Sequence, residues 1–159
     1  EIIREIGANA RNMLESMEDI IWSVIPSNDA FRNLILHLRE YAIPLFELKN
    51  IGFKITAPET APPLSIPMEI RRNVFLIAKE AVNNLVKYSG CTSAVIDLSL
   101  LHSVFRMRIE DNGKGFDVEK DCGRNGLRNM KYRAKKMGGK IDIHSSPGKG
   151  TCIVLSVKI

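Results

Sequence analysis

The chain has little that would cross-link it or hold it in a bilayer. Its three cysteines, Cys91, Cys122 and Cys152, are too few and too scattered for a disulfide framework, and no Cys-x-x-Cys pair offers a zinc site. They read as reduced thiols of the cytosolic kind. No run of about 18 apolar residues is present, so no segment reads as a membrane-spanning helix. Glu1-Ile2-Ile3-Arg4-Glu5 lacks the basic start and apolar stretch of a signal peptide. Aromatics make up only 6% of the residues and do not interleave with the basic ones. The net charge of +5 therefore does not read as a surface for single-stranded nucleic acid. The densest basic run, Arg128 to Lys136, reads as the solvated face of one helix. Nucleotide phosphates or an acidic protein partner would use the same charge. A Walker A loop is also missing, since no G-x-x-x-x-G-K-[ST] occurs.

What is there is an ordinary globular balance, 45% hydrophobic and 26% charged, enough for one core and an appended element. Residues 1–26 predict a bundle helix, and residues 1–25 carry a heptad. Ile3, Ile6, Ala10, Met13, Met17, Ile20 and Val24 fall alternately three and four apart, the seam of a coiled coil or four-helix bundle. Ile2, Leu14, Ile21 and Ile25 widen the stripe, which favours a bundle. The seam predicts pairing with a second copy. Pro26 stops the helix, and Ser27-Asn28-Asp29 supplies cap chemistry. Residues 27–50 predict a connecting helix, with Phe31, Leu34, Ile35, Leu38, Tyr41, Ala42 and Leu45 on one face and Pro44 expected to kink or divide it.

Residues 51–159 predict the main domain. Gly52 to Ala57 reads as a strand and Pro58 to Pro67 as an extended connector. A helix starts at Pro67 and buries Ile70, Val74, Ile77, Ala78, Ala81, Leu85 and Tyr88. Strands follow over Ala94–Leu101 and Val104–Glu110. A glycine-rich loop from Asn112 leads to a helix over Gly126–Met137. Lys140–His144 and Cys152–Ile159 are the last two strands. The order implies an α+β, two-layer α/β sandwich, with helices on one face of a mixed sheet.

Two stretches carry chemistry. Glu80, Asn84 and Lys87 sit at i, i+4 and i+7, on one helical stripe. An amide oxygen is a hard ligand for magnesium, an ammonium offsets phosphate charge, and a carboxylate can act as base or polarise a nucleophile. Asp111-Asn112-Gly113-Lys114-Gly115-Phe116 places a carboxylate just after a strand, on a turn that Gly113 and Gly115 soften. A carboxylate can accept a hydrogen bond from the exocyclic amine of adenine while glycines make room for the ring. A dinucleotide fingerprint fails here, because Val118 takes the third glycine's place. Gly123 and Gly126 bracket a helix start, where free amides suit phosphate. Gly148-Lys149-Gly150-Thr151 is a hairpin turn with a hydroxyl at its end.

In this order, Glu80-x-x-x-Asn84, Asp111-x-Gly113-x-Gly115, Asn125-Gly126-Leu127 and Gly148-x-Gly150-Thr151 resemble the N, G1, G2 and G3 boxes of the GHKL ATPases. Within that superfamily the run Gly126 to Ala134 and the short preceding loop resemble sensor histidine kinases of the nitrate-sensor type. The N-terminal run around Asn9-Ala10-Arg11 and Met17 to Pro26 resembles the end of such a kinase's dimerisation domain. The resemblance implies a Bergerat-type fold and binding of ATP with Mg2+. It implies that Asn84 holds the metal, Asp111 reads adenine, and Gly113 and Gly115 shape the base pocket. Gly123, Gly126 and Leu127 would bound the lid, Lys87, Gly150 and Thr151 would lie near phosphate or the rim, and Glu80 would assist the nucleophile. It further implies a homodimer, a response-regulator receiver domain as partner, and a cytoplasmic position below a membrane anchor.

The sequence departs from that pattern at two places. The family's Lys-His pair reads Lys87-Tyr88 here, and Arg124 stands where the second glycine box has a glycine. None of His37, His102 or His144 has an acidic neighbour of the kind that follows a phosphoacceptor. The acceptor is thus expected outside this chain, which would bind ATP without phosphorylating itself. The rivals are a serine switch kinase of the same superfamily and a non-enzymatic binding module.

Overall fold

The computed structural model describes residues 30–58, 65–121 and 125–159, together with residues 6, 10, 13, 14, 17, 20–22, 24 and 25 of the N-terminal segment. Helix α1 runs Phe31–Leu48 and buries Phe31, Leu34, Ile35, Leu38, Ala42 and Phe46. Pro44 lies inside it without ending it. The missing N–H is tolerated because residues on both sides, Ala42 and Phe46, are anchored in the same core. The expected cap at Ser27-Asn28-Asp29 lies outside the described residues, as does much of the heptad and of the proline-rich connector.

Strand β1 (Gly52–Thr56) is followed by helix α2 (Met68–Asn84) and a π-helical turn (Leu85–Ser89). Strands β2 (Ser93–Leu101) and β3 (Val104–Asp111) form a hairpin. The loop after β3 holds a single helical turn, α3 (Val118–Asp121), before α4 (Asn125–Lys136). Strands β4 (Lys140–Ser145) and β5 (Thr151–Lys158) complete the domain. Among the described residues the sheet order is β1-β2-β3-β5-β4. Only β1 pairs in parallel, with β2, and the other pairs are antiparallel. The α+β class expected from the element order is the class observed.

The alternation of side chains along a strand decides where the core sits. Ala94, Ile96 and Leu98 of β2, Phe105, Met107 and Ile109 of β3, and Ile153, Leu155 and Val157 of β5 all point to one buried face. The helices close over it. Leu127, Met130 and Ala134 of α4 and Val74, Ile77, Ala78 and Ala81 of α2 supply the other layer. Phe31 of α1 meets Phe105 edge-on at 5.7 Å, so α1 shares this core. The opposite sheet face is polar, with Arg108 bridging Asp97 at 3.1 Å and pairing with Glu110.

The N-terminal segment meets the domain through Trp22. Its ring stacks on His37 at 4.1 Å, His37 lies 4.2 Å from Phe75, and the buried Arg71 guanidinium stands 5.4 Å from the indole. The other large apolar side chains described there, among them Ile6, Met13, Met17, Ile20 and Val24, are exposed. Because α1 is core rather than appendage, Phe31→Ala is expected to cost about 3–5 kcal/mol. Urea unfolding checks this. A loss under 1 kcal/mol would show that α1 rests loosely on the sheet.

Candidate functional site

Asp111 extends the buried series Phe105, Met107, Ile109 by one more step of two. The carboxylate thus arrives on the core face at the end of the central strand. The sequence suggested a residue already in the loop. Instead Asp111 pairs with Ala94 on one side and Thr151 on the other. It is 8% exposed. The Gly113 N–H donates to its Oδ1 at 2.8 Å. Burial pushes its pKa up, the backbone N–H groups of Gly113 and Thr151 pull it back, and the Glu110 charge adds a smaller push upward.

The turn after Asp111 is pinned from several directions. Asn112 Oδ1 accepts from the N–H groups of Thr92 and Ser93 at 3.0 and 2.9 Å. The Lys114 N–H donates to the Ser89 carbonyl at 2.9 Å. Ser145, which belongs to none of the motifs, ties two glycine turns together. Its hydroxyl accepts from the Phe116 N–H at 2.9 Å, donates to the Gly150 carbonyl at 2.8 Å and sits 3.0 Å from Thr151 Oγ1. Gly150 has φ +71°, and a Cβ there would run into the Asp111 carbonyl. No other residue type fits both conditions.

Glu80 and Asn84 sit one helical turn apart on α2, and the Asn84 amide N–H donates to Glu80 Oε1 at 3.2 Å. That bond uses the amide's donor side and leaves its carbonyl oxygen as the acceptor for an outside group. Gly126, at the start of α4, faces them. A Cβ at Gly126 would overlap the Glu80 carboxylate, so the bare backbone lets α4 approach.

These groups line one cavity of about 790 Å³. Glu80, Asn84, Asp111, Gly115, Gly126, Leu127 and Thr151 are on its wall, together with Lys114, Phe116, Ile109 and Ile153. Gly113 and Gly150 stand behind the wall, against Ser89 and Asp111. Gly123 and Arg124 lie outside the described residues. Lys87 does not share the stripe of Glu80 and Asn84. The i+7 spacing assumes an unbroken α-helix, and the π-helical turn after Asn84 changes the phase. It brings Tyr88, not Lys87, onto the wall. Tyr88 is 60% exposed there, where the helical pattern had placed it in the core.

Residues 69–159 match the family described as histidine kinase-, DNA gyrase B-, and HSP90-like ATPase, and the chain belongs to that family. It is 36% identical to the sensor protein VraS of Staphylococcus aureus, over 77% of this chain and 38% of that protein. The chain thus spans well under half the length of the curated relatives it matches. Its fold is similar to that of the histidine kinase AdeS of Acinetobacter baumannii, with a TM-score of 0.68, 15% identity, and coverage of 99% of this chain and 84% of that one. The histidine kinase domain of the blue-light activated kinase of Erythrobacter litoralis EL346 gives a TM-score of 0.64 at 19% identity, covering 79% of this chain and 60% of that one. At these identities the structures speak to the fold alone.

Asp111 makes the site's cost visible in stability. A carboxyl whose native pKa is raised contributes stability that is complete below its unfolded value, about 3.9, and lost as pH rises through the native value. Asp111→Asn cannot ionise and keeps an oxygen for the Gly113 N–H. Its Tm at pH 7 is therefore expected to equal or exceed the parent's, with the gap closing toward pH 4. Thermal unfolding across that range checks it. A lower Tm at pH 7 would mean that the N–H donors outweigh the burial.

Proposed function

We propose that this chain is the ATP-binding catalytic region of a sensor histidine kinase, serving a two-component relay. The observation that carries the reading is the convergence of the buried Asp111 carboxylate and the Glu80–Asn84 pair on one cavity of about 790 Å³. That volume suits a nucleotide. Membership of an ATPase family and similarity to a protein named as a sensor support it.

In this reading Asp111 accepts a hydrogen bond from the adenine amine, with the Gly113–Gly115 turn holding backbone clear of the ring. Ile109, Ile153 and Phe116 supply apolar contact to the base. Gly126 and Leu127, with the preceding Gly123, bound the lid over the phosphates. Gly150 and Thr151 close the pocket floor, and Lys87 adds positive charge at the rim. Asn84 would hold Mg2+ through its amide oxygen. Among the described residues no cluster of three or more His, Cys, Asp or Glu side chains could cage a metal. Magnesium does not need one, since it keeps several waters and binds through one or two side chains and the phosphates. Bound there, it would offset charge on the phosphates.

Transfer would proceed by in-line attack of an imidazole nitrogen on the γ-phosphorus, with ADP leaving. Positioning and electrostatics supply most of the catalysis in such a step. Glu80 would accept a hydrogen bond from the acceptor's other ring N–H and take the proton that nitrogen releases as the N–P bond forms. The acceptor is a His on a dimerisation helix other than the segment described here. His37 is packed between Trp22 and Phe75, and neither His102 nor His144 is on the cavity wall. The exposed apolar stripe of the N-terminal segment supports pairing with a second copy through that helix. A receiver-domain aspartate would take the phosphate onward. The region would work in the cytoplasm, where ATP is available, without itself touching membrane or nucleic acid.

Calorimetry on the 159-residue chain is expected to show saturable ATP binding strengthened by Mg2+. Asp111→Asn should weaken it at least tenfold, as losing a hydrogen bond to a charged group costs about 1.5–3 kcal/mol. Asn84→Ala should remove the Mg2+ dependence. Absence of ATP binding with and without Mg2+ would sink the reading. Incubation of the chain alone with γ-labelled ATP should leave it unlabelled.

A further inference from the structure

A second concavity lies between α2 and α4, away from the nucleotide cavity. It has a volume of about 340 Å³ and is lined by Glu69, Arg72 and Asn73 of α2 and Tyr132, Arg133 and Lys136 of α4. Three cations face one carboxylate. That carboxylate is already engaged, since Lys136 Nζ sits 3.4 Å from Glu69 Oε1. Arg72 and Arg133 are left together. Among the described residues neither has a carboxylate within 4.0 Å.

Arg133 is the informative member. Its guanidinium is half-buried and donates to the neutral Oδ1 of Asn73 at 3.4 Å. Asn73 is itself buried, and its amide N–H is fixed on the Glu69 carbonyl at 2.8 Å. The amide oxygen is thus held toward Arg133 by the helix, not recruited by it. Burial lowers the Arg133 pKa most, and the Arg72 charge lowers it further, with Glu80 and Tyr132 acting in the opposite direction. A charge withdrawn from water without a counterion is costly, and native structures ordinarily pair it. Two guanidiniums at one concave site offer a fork that fits two oxygens of a carboxylate or phosphate.

We propose that the α2–α4 cleft is a second oxyanion site, in which Arg72 and Arg133 together hold a carboxylate or phosphate group. Asn73 is the positioning residue that aims Arg133. Tyr132, exposed at the rim, adds a hydroxyl donor. None of these residues lines the first cavity, and the two are linked only through the Glu80 charge that acts on Arg133.

The test uses NMR of the arginine Nε–Hε groups on the intact chain. One arm titrates sodium phosphate and the other an acidic peptide of alternating Glu and Gly, each against sodium chloride at matched ionic strength. Arg72 and Arg133 signals should shift saturably in at least one arm. Phosphate alone would assign a free or phosphoryl anion, and the peptide would assign carboxylates of a protein partner. Arg72→Ala, at an exposed position that leaves folding intact, should raise the dissociation constant roughly tenfold, as expected for losing one charge-assisted contact. Arg133→Gln should do the same, and ATP affinity should change by less than about twofold in Arg72→Ala, whose side chain shares no partner with the first cavity. Shifts no larger than chloride produces, or unchanged affinity in both variants, would overturn the proposal. Loss of ATP binding alone would leave it standing.

Discussion

The structure turns on a carboxylate held where carboxylates are expensive. Asp111 sits on the core face of the central strand, in line with Phe105, Met107 and Ile109. A charge so placed survives only with donors, and the donors here are backbone. The Gly113 N–H comes from the turn that follows, and the Thr151 backbone comes from the neighbouring strand. Both must be delivered within hydrogen-bonding reach, which is why the chain packs so tightly below the cavity. Ser145 holds the Phe116 and Gly150 turns at the same junction. Ser89 carries the far side through Lys114. The loops are thereby tied to the sheet, not left to drape over it.

Helix α2 solves a different problem with the same economy. Its apolar stripe is buried on the sheet, and the stripe beside it carries Glu80 and Asn84 into the cavity. Nearer its start, Arg72 and Asn73 face α4 across the second cleft. Helix α4 meets α2 at both places, through Gly126 above Glu80 and through Arg133 beside Asn73. One helix pair therefore sets the geometry of two polar sites of opposite charge. Displacing α4 would disturb both.

Much of this was legible in the chain because it depends on periodicity. The period-two strands, the amphipathic helices and the glycine turns each follow from local rules, and the α+β class follows from their order. The order of motifs also singled out Glu80, Asn84, Asp111, Gly126 and Thr151, which the fold collects on one wall. What escaped depends on phase and partners. A π-helical turn has no reliable sequence mark, so Tyr88 came onto the cavity wall while Lys87, still exposed, left the stripe of Glu80 and Asn84. Ser145 looks like any turn serine until Phe116 and Gly150 are brought to it from 29 and 5 residues away. Pro44 and Asp111 both broke a propensity rule. In each the tertiary setting prevailed, through core anchoring in one case and two-sided strand pairing in the other. The alternation up to Ile109 was itself a signal that Asp111 would face inward.

The charge of the first cavity constrains how a nucleotide could be held. Its charged lining among the described residues is Glu80, Asp111 and Lys114, two carboxylates against one ammonium. Such a wall does not attract a triphosphate by its own field. The basic residues that give the chain its +5 are dispersed along it or gathered on α4, and among the described ones only Lys114 lines this cavity. In the proposed reading, affinity therefore begins at the base, through Asp111 and the apolar contacts of Ile109, Ile153 and Phe116. The phosphates would then bring their own counter-charge as a magnesium complex, with Asn84 offering an uncharged oxygen. A neutral amide at that position fits a site already carrying two carboxylates, since a third would add repulsion toward the phosphates. Recognition of the base and tolerance of the phosphates would thus fall to different residues, which lets a protein with an acidic pocket use an acidic ligand.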